Sequence, residues 1–330
     1  SLINQYDVSL ESVNLLRFRP PPAASNAWAV AGSKTADGRA ILANDMHTGI
    51  SVPNIWYRCR IKWNEGDVAG VVLPGTPLIV AGSSRHLAWG VTALMADVLD
   101  LVQLHPHPDH ADQYLTPSGW QLFGNRRETI VVKHDQAHTV DVRTTIWGPV
   151  SPKSLLGQPV ALRWSVLDPE AINLQLIDLY TAPDLNAGIP IVNATGGPPL
   201  NVILAEKSGR IAWTTMGRLP QRQGFDGMIS QSGADGLASW LGYLPPEMHP
   251  RVVDPAAGIV INANNRSVQQ SYPFVVGHAY SNGYRAQRIA ERLHALPLVS
   301  EKSMFALQLD TRAGMYGFYR DIALEALSEA

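Results

Sequence analysis

The sequence predicts an α+β fold, with strands layered against helices grouped to one side. Short apolar runs rich in Val, Ile, Thr and Trp, punctuated by Gly, Pro, Asn and Asp, fill the chain from Ser25 to about Val150. Strands resume near residue 200, while helical patterning gathers at the end of the chain, so no βαβ alternation is visible. Hydrophobic residues make up 45% of the 330 residues and charged residues 16%, enough apolar material for one large or two ordinary domains.

Residues 1–24 stand apart. The run R-F-R-P-P-P-A-A is proline-rich and ends in small residues, which reads as an extended, accessible linker directly before Ser25. Trp28 and Val30 then mark a first strand, Asp37 and Gly38 a two-residue turn, and Ile41 and Leu42 a return strand. Further strand-like runs cover 51–63, 68–75, 77–82, 85–94, 99–104, 127–133 and 138–147. A short helical stretch is expected over 169–181, followed by strands at 201–206, 210–215 and 258–264. The chain ends helically over 284–296 and 300–309, with Glu301 placed to cap the turn after Ser300, and it closes on E-A-L-S-E-A.

Several function classes drop out. A net charge of −2 favours neither nucleic acid nor an anionic membrane. No apolar run approaches the ~20 residues that span a bilayer. The single cysteine, Cys59, excludes an internal disulfide framework and a multi-cysteine zinc site; it reads as an ordinary strand residue. No signal peptide is visible at the start, and no phosphate-binding, dinucleotide or zinc-protease motif occurs. H-P-H-P-D-H gathers His105, His107, Asp109 and His110, a composition that can bind metal, but the prolines keep it extended and a solvated loop is expected.

The run S-N-A-W-A-V-A-G-S-K-T-A-D-G-R-A-I-L-A-N-D-M-H, from Ser25 to His47, is the most informative stretch of the chain. A serine hydroxyl needs a base, and an N-terminal serine carries its own, because a free α-amino group titrates near pH ~7.7–8.0. This run resembles the start of the β chain in the penicillin acylase family of N-terminal nucleophile hydrolases. Connecting text such as L-P-G-T-P and T-T-I-W-G-P-V agrees, and the resemblance extends from Ser25 to about Leu293.

The resemblance implies an αββα sandwich of antiparallel sheets, with 25–330 as the N-terminal part of a catalytic β chain. It implies self-cleavage between Ala24 and Ser25, which frees Ser25 as nucleophile. Four motifs then match the family's functional residues. L-A-N-D-M-H places His47 where a hydrogen-bonding residue sets the nucleophile and its amine. A-W-G-V-T-A places Ala93 where a backbone N–H feeds the oxyanion hole, and I-N-A-N-N-R places Asn264 as the side-chain donor. Y-R-A-Q-R-I makes Arg285 the counterpart of an arginine that steadies the site.

No cofactor is implied for the chemistry. The family binds structural calcium near this face, and A-D-V-L-D offers Asp97, the Leu99 carbonyl and Asp100; the later family aspartate falls near Phe274 and Val275, where no carboxylate stands. An α chain from the same precursor and a periplasmic location are further family expectations. The small Thr48 and Ala81, at positions aromatic in phenylacetyl-specific acylases, together with His47 and the run Ser84 to Trp89, favour cleavage of long-chain amides such as acyl-homoserine lactones. The alternatives are a β-lactam side-chain acylase, an unprocessed β-rich binding protein, and metal binding by the histidine loop.

Overall fold

The computed structural model describes residues 24–328; the expected linker lies outside the described residues apart from Ala24. Among them, ten strands build two central sheets. They are β1 (Ala24–Val30), β2 (Ile41–His47), β3 (Tyr57–Lys62), β4 (Asp67–Val72), β5 (Ile79–Ser83), β6 (Leu87–Ala93), β7 (Leu200–Glu206), β8 (Ile211–Met216), β9 (Val252–Val253) and β10 (Ile259–Asn262). The smaller sheet has the order β2-β1-β10 and the larger the order β9-β8-β7-β6-β5-β4-β3. Every pairing within these two sheets is antiparallel.

The period-2 alternation of β1 divides its side chains between two cores. Trp28 and Val30 face helices α2 (Tyr284–His294) and α3 (Glu301–Gln308), packing with Ile289, Leu293, Met304 and Leu307. Ala27 and Ala29 face the larger sheet, against Ile203, Ile211 and Trp213. The larger sheet's opposite face, with Ile79, Leu87, Trp89 and Val202, packs on α1 (Leu185–Ala194). Helix, sheet, sheet, helix is therefore the layer order, the αββα sandwich that the family resemblance implies. The sheets approach closely where β6 passes β2: a Cβ on Gly90 would stand 3.0 Å from side-chain carbons of Asn44 and Leu42.

Three local expectations are corrected. The first hairpin does not close on Asp37-Gly38 alone. Residues 31–40 form a longer connection with a 3₁₀ turn at Gly32–Lys34, because Ala31 and Gly32 donate their N–H groups to Gly258 and Gly209 instead of continuing the ladder. The stretch 169–181 holds 3₁₀ turns only, and the α-helix follows it at α1, capped by Asp184 accepting from the Ala187 N–H. Pro190 and Gly188 hide that helix in the sequence, whereas its buried face of Leu185, Ile189 and Val192 makes it. At α3 the capping partner of Ser300 is Ser303, not Glu301, since the reciprocal bond needs the third helical position. A last helix, α4 (Met315–Ser328), ends the described chain. No helix among the described residues is long and apolar enough to cross a membrane.

Candidate active site

Ser25 lies on the inner face of β1, one alternation before Ala27, and is buried. Asn264 meets it from the turn after β10. Asn264 Nδ2 donates to Ser25 Oγ at 3.2 Å, and Asn264 Oδ1 accepts from the Ser25 N–H at 2.9 Å. The same Nδ2 donates to the Ala93 carbonyl at 3.0 Å, joining the end of β6 to the cluster. Asn264 holds this pose in the left-handed region (φ 63°), which short polar side chains tolerate better than most. Its backbone is fixed at both ends, the N–H by Asn262 Oδ1 at 2.9 Å and the carbonyl by Ser281 N–H at 3.0 Å.

Arg285, in the first turn of α2, reaches in from the other side of β1. Its Nη1 donates to the Ser25 carbonyl at 2.7 Å and to Asn26 Oδ1 at 2.6 Å, and its Nη2 donates to Asn264 Oδ1 at 3.0 Å. Burial pulls the Arg285 guanidinium below its ordinary value, and Asp45 pulls the other way. Behind the cluster, buried Thr92 donates to Asn262 Oδ1, and Asn201 Nδ2 donates to Thr92 Oγ1 and to the Ala93 carbonyl at 3.0 and 3.1 Å. Trp213 Nε1 closes the chain on Asn201 Oδ1 at 3.0 Å.

Ser25, Ala93, Asn264 and Arg285 thus come together. The His47 side chain does not join them by a hydrogen bond. It pairs in register with Ala24, so its imidazole shares a sheet face with Asn26 and lies across the sheet from the serine hydroxyl. Its Nε2 lies 3.2 Å from Asn26 Nδ2 and 3.3 Å from Asp45 Oδ2. Sequence reasoning passed over Asn26, Asp45, Thr92, Asn201 and Asn262. Their signal was polar side chains inside otherwise apolar strands, which only a buried partner explains.

Asp97 and Asp100 both face Arg222. Its Nε lies 2.8 Å from Asp100 Oδ2, its Nη2 lies 3.3 Å from Asp97 Oδ2, and Nη2 also donates to the Asp97 carbonyl at 3.0 Å. Desolvation raises the Asp97 carboxyl above its ordinary value, while Arg222 opposes the rise. Leu99 begins a peripheral strand and pairs with Trp164. Calcium takes six to eight oxygens. Here one guanidinium engages both carboxylates, and among the described residues no three His, Cys, Asp or Glu side chains converge on a metal position. As arranged, these residues do not fit a calcium ion. In the histidine loop the His107 ring packs at a tilt against His110 and Trp120, at centroid distances of 4.6 and 4.4 Å, and His105 bonds Ser232. Cys59 is a half-buried residue of β3, as its apolar surroundings suggest.

The sequence profile described as Penicillin amidase matches residues 4–324. The chain belongs to the penicillin amidase family. It is 31% identical over 303 residues to the acyl-homoserine lactone acylase QuiP of Pseudomonas aeruginosa, covering 87% of this chain and 36% of the relative. It is likewise 31% identical over 315 residues to the penicillin acylase 2 proenzyme of Pseudomonas sp. strain SE83, covering 92% and 39%. The chain therefore spans between a third and two fifths of these relatives' length. The solved thermostable penicillin G acylase of Alcaligenes faecalis superposes with a TM-score of 0.75 at 23% identity, covering 86% of this chain and 51% of that one, which shows the shared fold.

Proposed function

We propose that this chain is the nucleophile-bearing part of an amidohydrolase that cleaves linear acyl amides, N-acyl-homoserine lactones or related long-chain amides first among them. The contact that carries the reading is Asn264, whose amide touches both the N–H and the Oγ of Ser25. In maturation, Ser25 Oγ attacks the Ala24 carbonyl carbon, the Ala24–Ser25 C–N bond breaks, and the acyl group moves to oxygen as an ester. Water then hydrolyses the ester and leaves Ser25 with a free amine.

That amine can keep Asn264 Oδ1 as its acceptor, which leaves its lone pair to take the hydroxyl proton during substrate attack. Asn264 Nδ2, already at Oγ, and the Ala93 N–H would donate to the tetrahedral oxyanion. The proton passes from the amine to the leaving nitrogen, and water completes the cycle on the acyl ester. Arg285 holds the Ser25 carbonyl and the Asn264 amide in place through the bonds described above. An α segment of the same precursor would complete the substrate walls. Trp56 donates its indole N–H to Thr48 Oγ1 at 3.0 Å, so a ring from the following segment stands beside that small residue.

A β-lactam side-chain acylase is the second reading, favoured by the similarity to the Pseudomonas penicillin acylase 2 proenzyme. Intact mass of the full-length gene product tests the mechanism. The parent should yield a fragment beginning at Ser25 and Ser25→Ala should not; an uncut, folded parent would remove the proposed base. Parallel hydrolysis of decanoyl-homoserine lactone and penicillin G separates the two substrate classes.

A further inference from the structure

Asp45 stands next to the site without touching the nucleophile. It is the register partner of Asn26 across β1 and β2, so the two side chains share the helix-facing side of the smaller sheet. Asn26 Nδ2 donates to Asp45 Oδ2 at 3.3 Å, His47 Nε2 lies 3.3 Å from the same oxygen, and Asp45 Oδ1 is buried without a partner. On its other side Asn26 presents Oδ1 to Arg285, and Arg285 engages Oδ1 of Asn264.

The donor and acceptor chemistry of this row has a direction. A carboxamide can present either its oxygen or its nitrogen to a neighbour, but a carboxylate only accepts and a guanidinium only donates. An ionised Asp45 therefore draws the NH₂ of Asn26 and turns its oxygen toward Arg285. Arg285 in turn draws the oxygen of Asn264, which turns the Asn264 NH₂ toward Ser25 Oγ and the Ala93 carbonyl. Without the carboxylate Arg285 alone orients Asn26. The flipped orientation would set an NH₂ against the Arg285 donors.

We propose that Asp45 is a positioning residue. Through the Asn26 carboxamide it holds Arg285 in the place from which the guanidinium engages the Ser25 carbonyl and Asn264 Oδ1. The proposal rests on the amidohydrolase reading and deepens it. Asp45 meets no reacting atom, so its removal is expected to act on kcat and on self-cleavage and to leave KM within about twofold.

The test uses the full-length gene product as parent, Ser25→Ala, Asp45→Asn, and the double exchange Asn26→Asp with Asp45→Asn. Self-cleavage is followed by intact mass; kcat and KM are measured with decanoyl-homoserine lactone and penicillin G. Asp45→Asn should slow self-cleavage and kcat about tenfold, the size of losing one hydrogen bond to a charged group. The double exchange restores the polarity, because an Asn at 45 can donate to an Asp at 26, which still accepts from Arg285. It should recover most of the lost rate, which a merely structural role would not do.

Parental rates in Asp45→Asn overturn the proposal, as does a slowed Asp45→Asn that the double exchange fails to rescue. Should Asp45→Asn not fold, the double exchange decides alone, near-parental rates supporting the relay and lost rates overturning it. A parent that neither cuts itself nor hydrolyses either substrate overturns the amidohydrolase reading, and with it the relay that rests on it.

Discussion

Two buried polar clusters of this protein invite comparison. Around Ser25 the side chains are mostly neutral amides and hydroxyls, each engaged by a named partner, with a single guanidinium feeding three acceptors. Around Asp100 the groups are formal charges: two carboxylates and Arg222, with Asp100 Oδ1 and Arg222 Nη1 buried and unpartnered. Neutral directional groups can hold a nucleophile and still offer a donor where charge develops, at little desolvation cost. A dense ion pair ties segments together but is costly to bury, and cutting it leaves a stranded charge. On the proposed reading the first cluster serves chemistry, while the second ties peripheral strands to the sandwich.

The sharpest way to break this contrast is Arg222→Met. It should destabilise the protein by about 3–5 kcal/mol, read as a lower midpoint in denaturant, because two partly desolvated carboxylates lose their counter-charge. Adding Asp100→Asn should return part of that loss. If Arg222→Met instead stopped turnover in protein that remained folded, the Asp100 cluster would belong to the chemistry after all.

Asn264→Gly is the matching change at the first cluster. Glycine accepts the left-handed backbone, so folding should survive while the donor is lost. A fall in kcat of about 10²–10³-fold is expected, the usual size for one oxyanion donor. Turnover within twofold of the parent would show that Asn264 only shapes the turn.

His249 sharpens the comparison on the stability side. It is a buried neutral imidazole bonded to Thr215, and burial lowers its pKa from 6.5 to about 4. Above pH 6.5 it is neutral both folded and unfolded. As pH falls from 6.5 toward 4 the unfolded chain takes the proton first, so stability drops by about 3 kcal/mol and levels off below. Urea melts across that range should show the slope, and His249→Asn should flatten it. The smallest effect is at α3: Ser300→Ala should cost about 1 kcal/mol and Glu301→Ala well under half that, since the cap partner is Ser303.

The strands that carry the site were legible because their patterning is strong. Trp28 and Val30 alternate with small residues, and β6, β7 and β8 are apolar enough to read as buried strands. Ser25, Asn264 and Arg285 could be named from their motifs, although Asn264 and Arg285 stand 239 and 260 residues along the chain from Ser25. What the sequence could not disclose was which side of a strand each residue takes once register is set. His47 sits in a motif that matches the site, and the pairing of Ala24 with His47 turns its imidazole away from the serine hydroxyl. Asp45 and Asn262 gave only a weak signal, a polar residue in an apolar run. The α1 helix was hidden for the opposite reason: its local propensities are poor and its packing against Leu87 and Leu179 decides.

Local patterning in the sequence determined the α+β class, and short motifs carried the family resemblance, which in turn implied the layer order and the nucleophile candidate. Tertiary structure decided the faces and the partners: Asn264 against both ends of Ser25, Arg222 between the acidic pair, and Asp45 behind Asn26. The reason is physical. Hydrophobic periodicity is written into neighbouring residues, whereas a buried hydrogen bond exists only when register brings a donor and an acceptor within about 3 Å of each other.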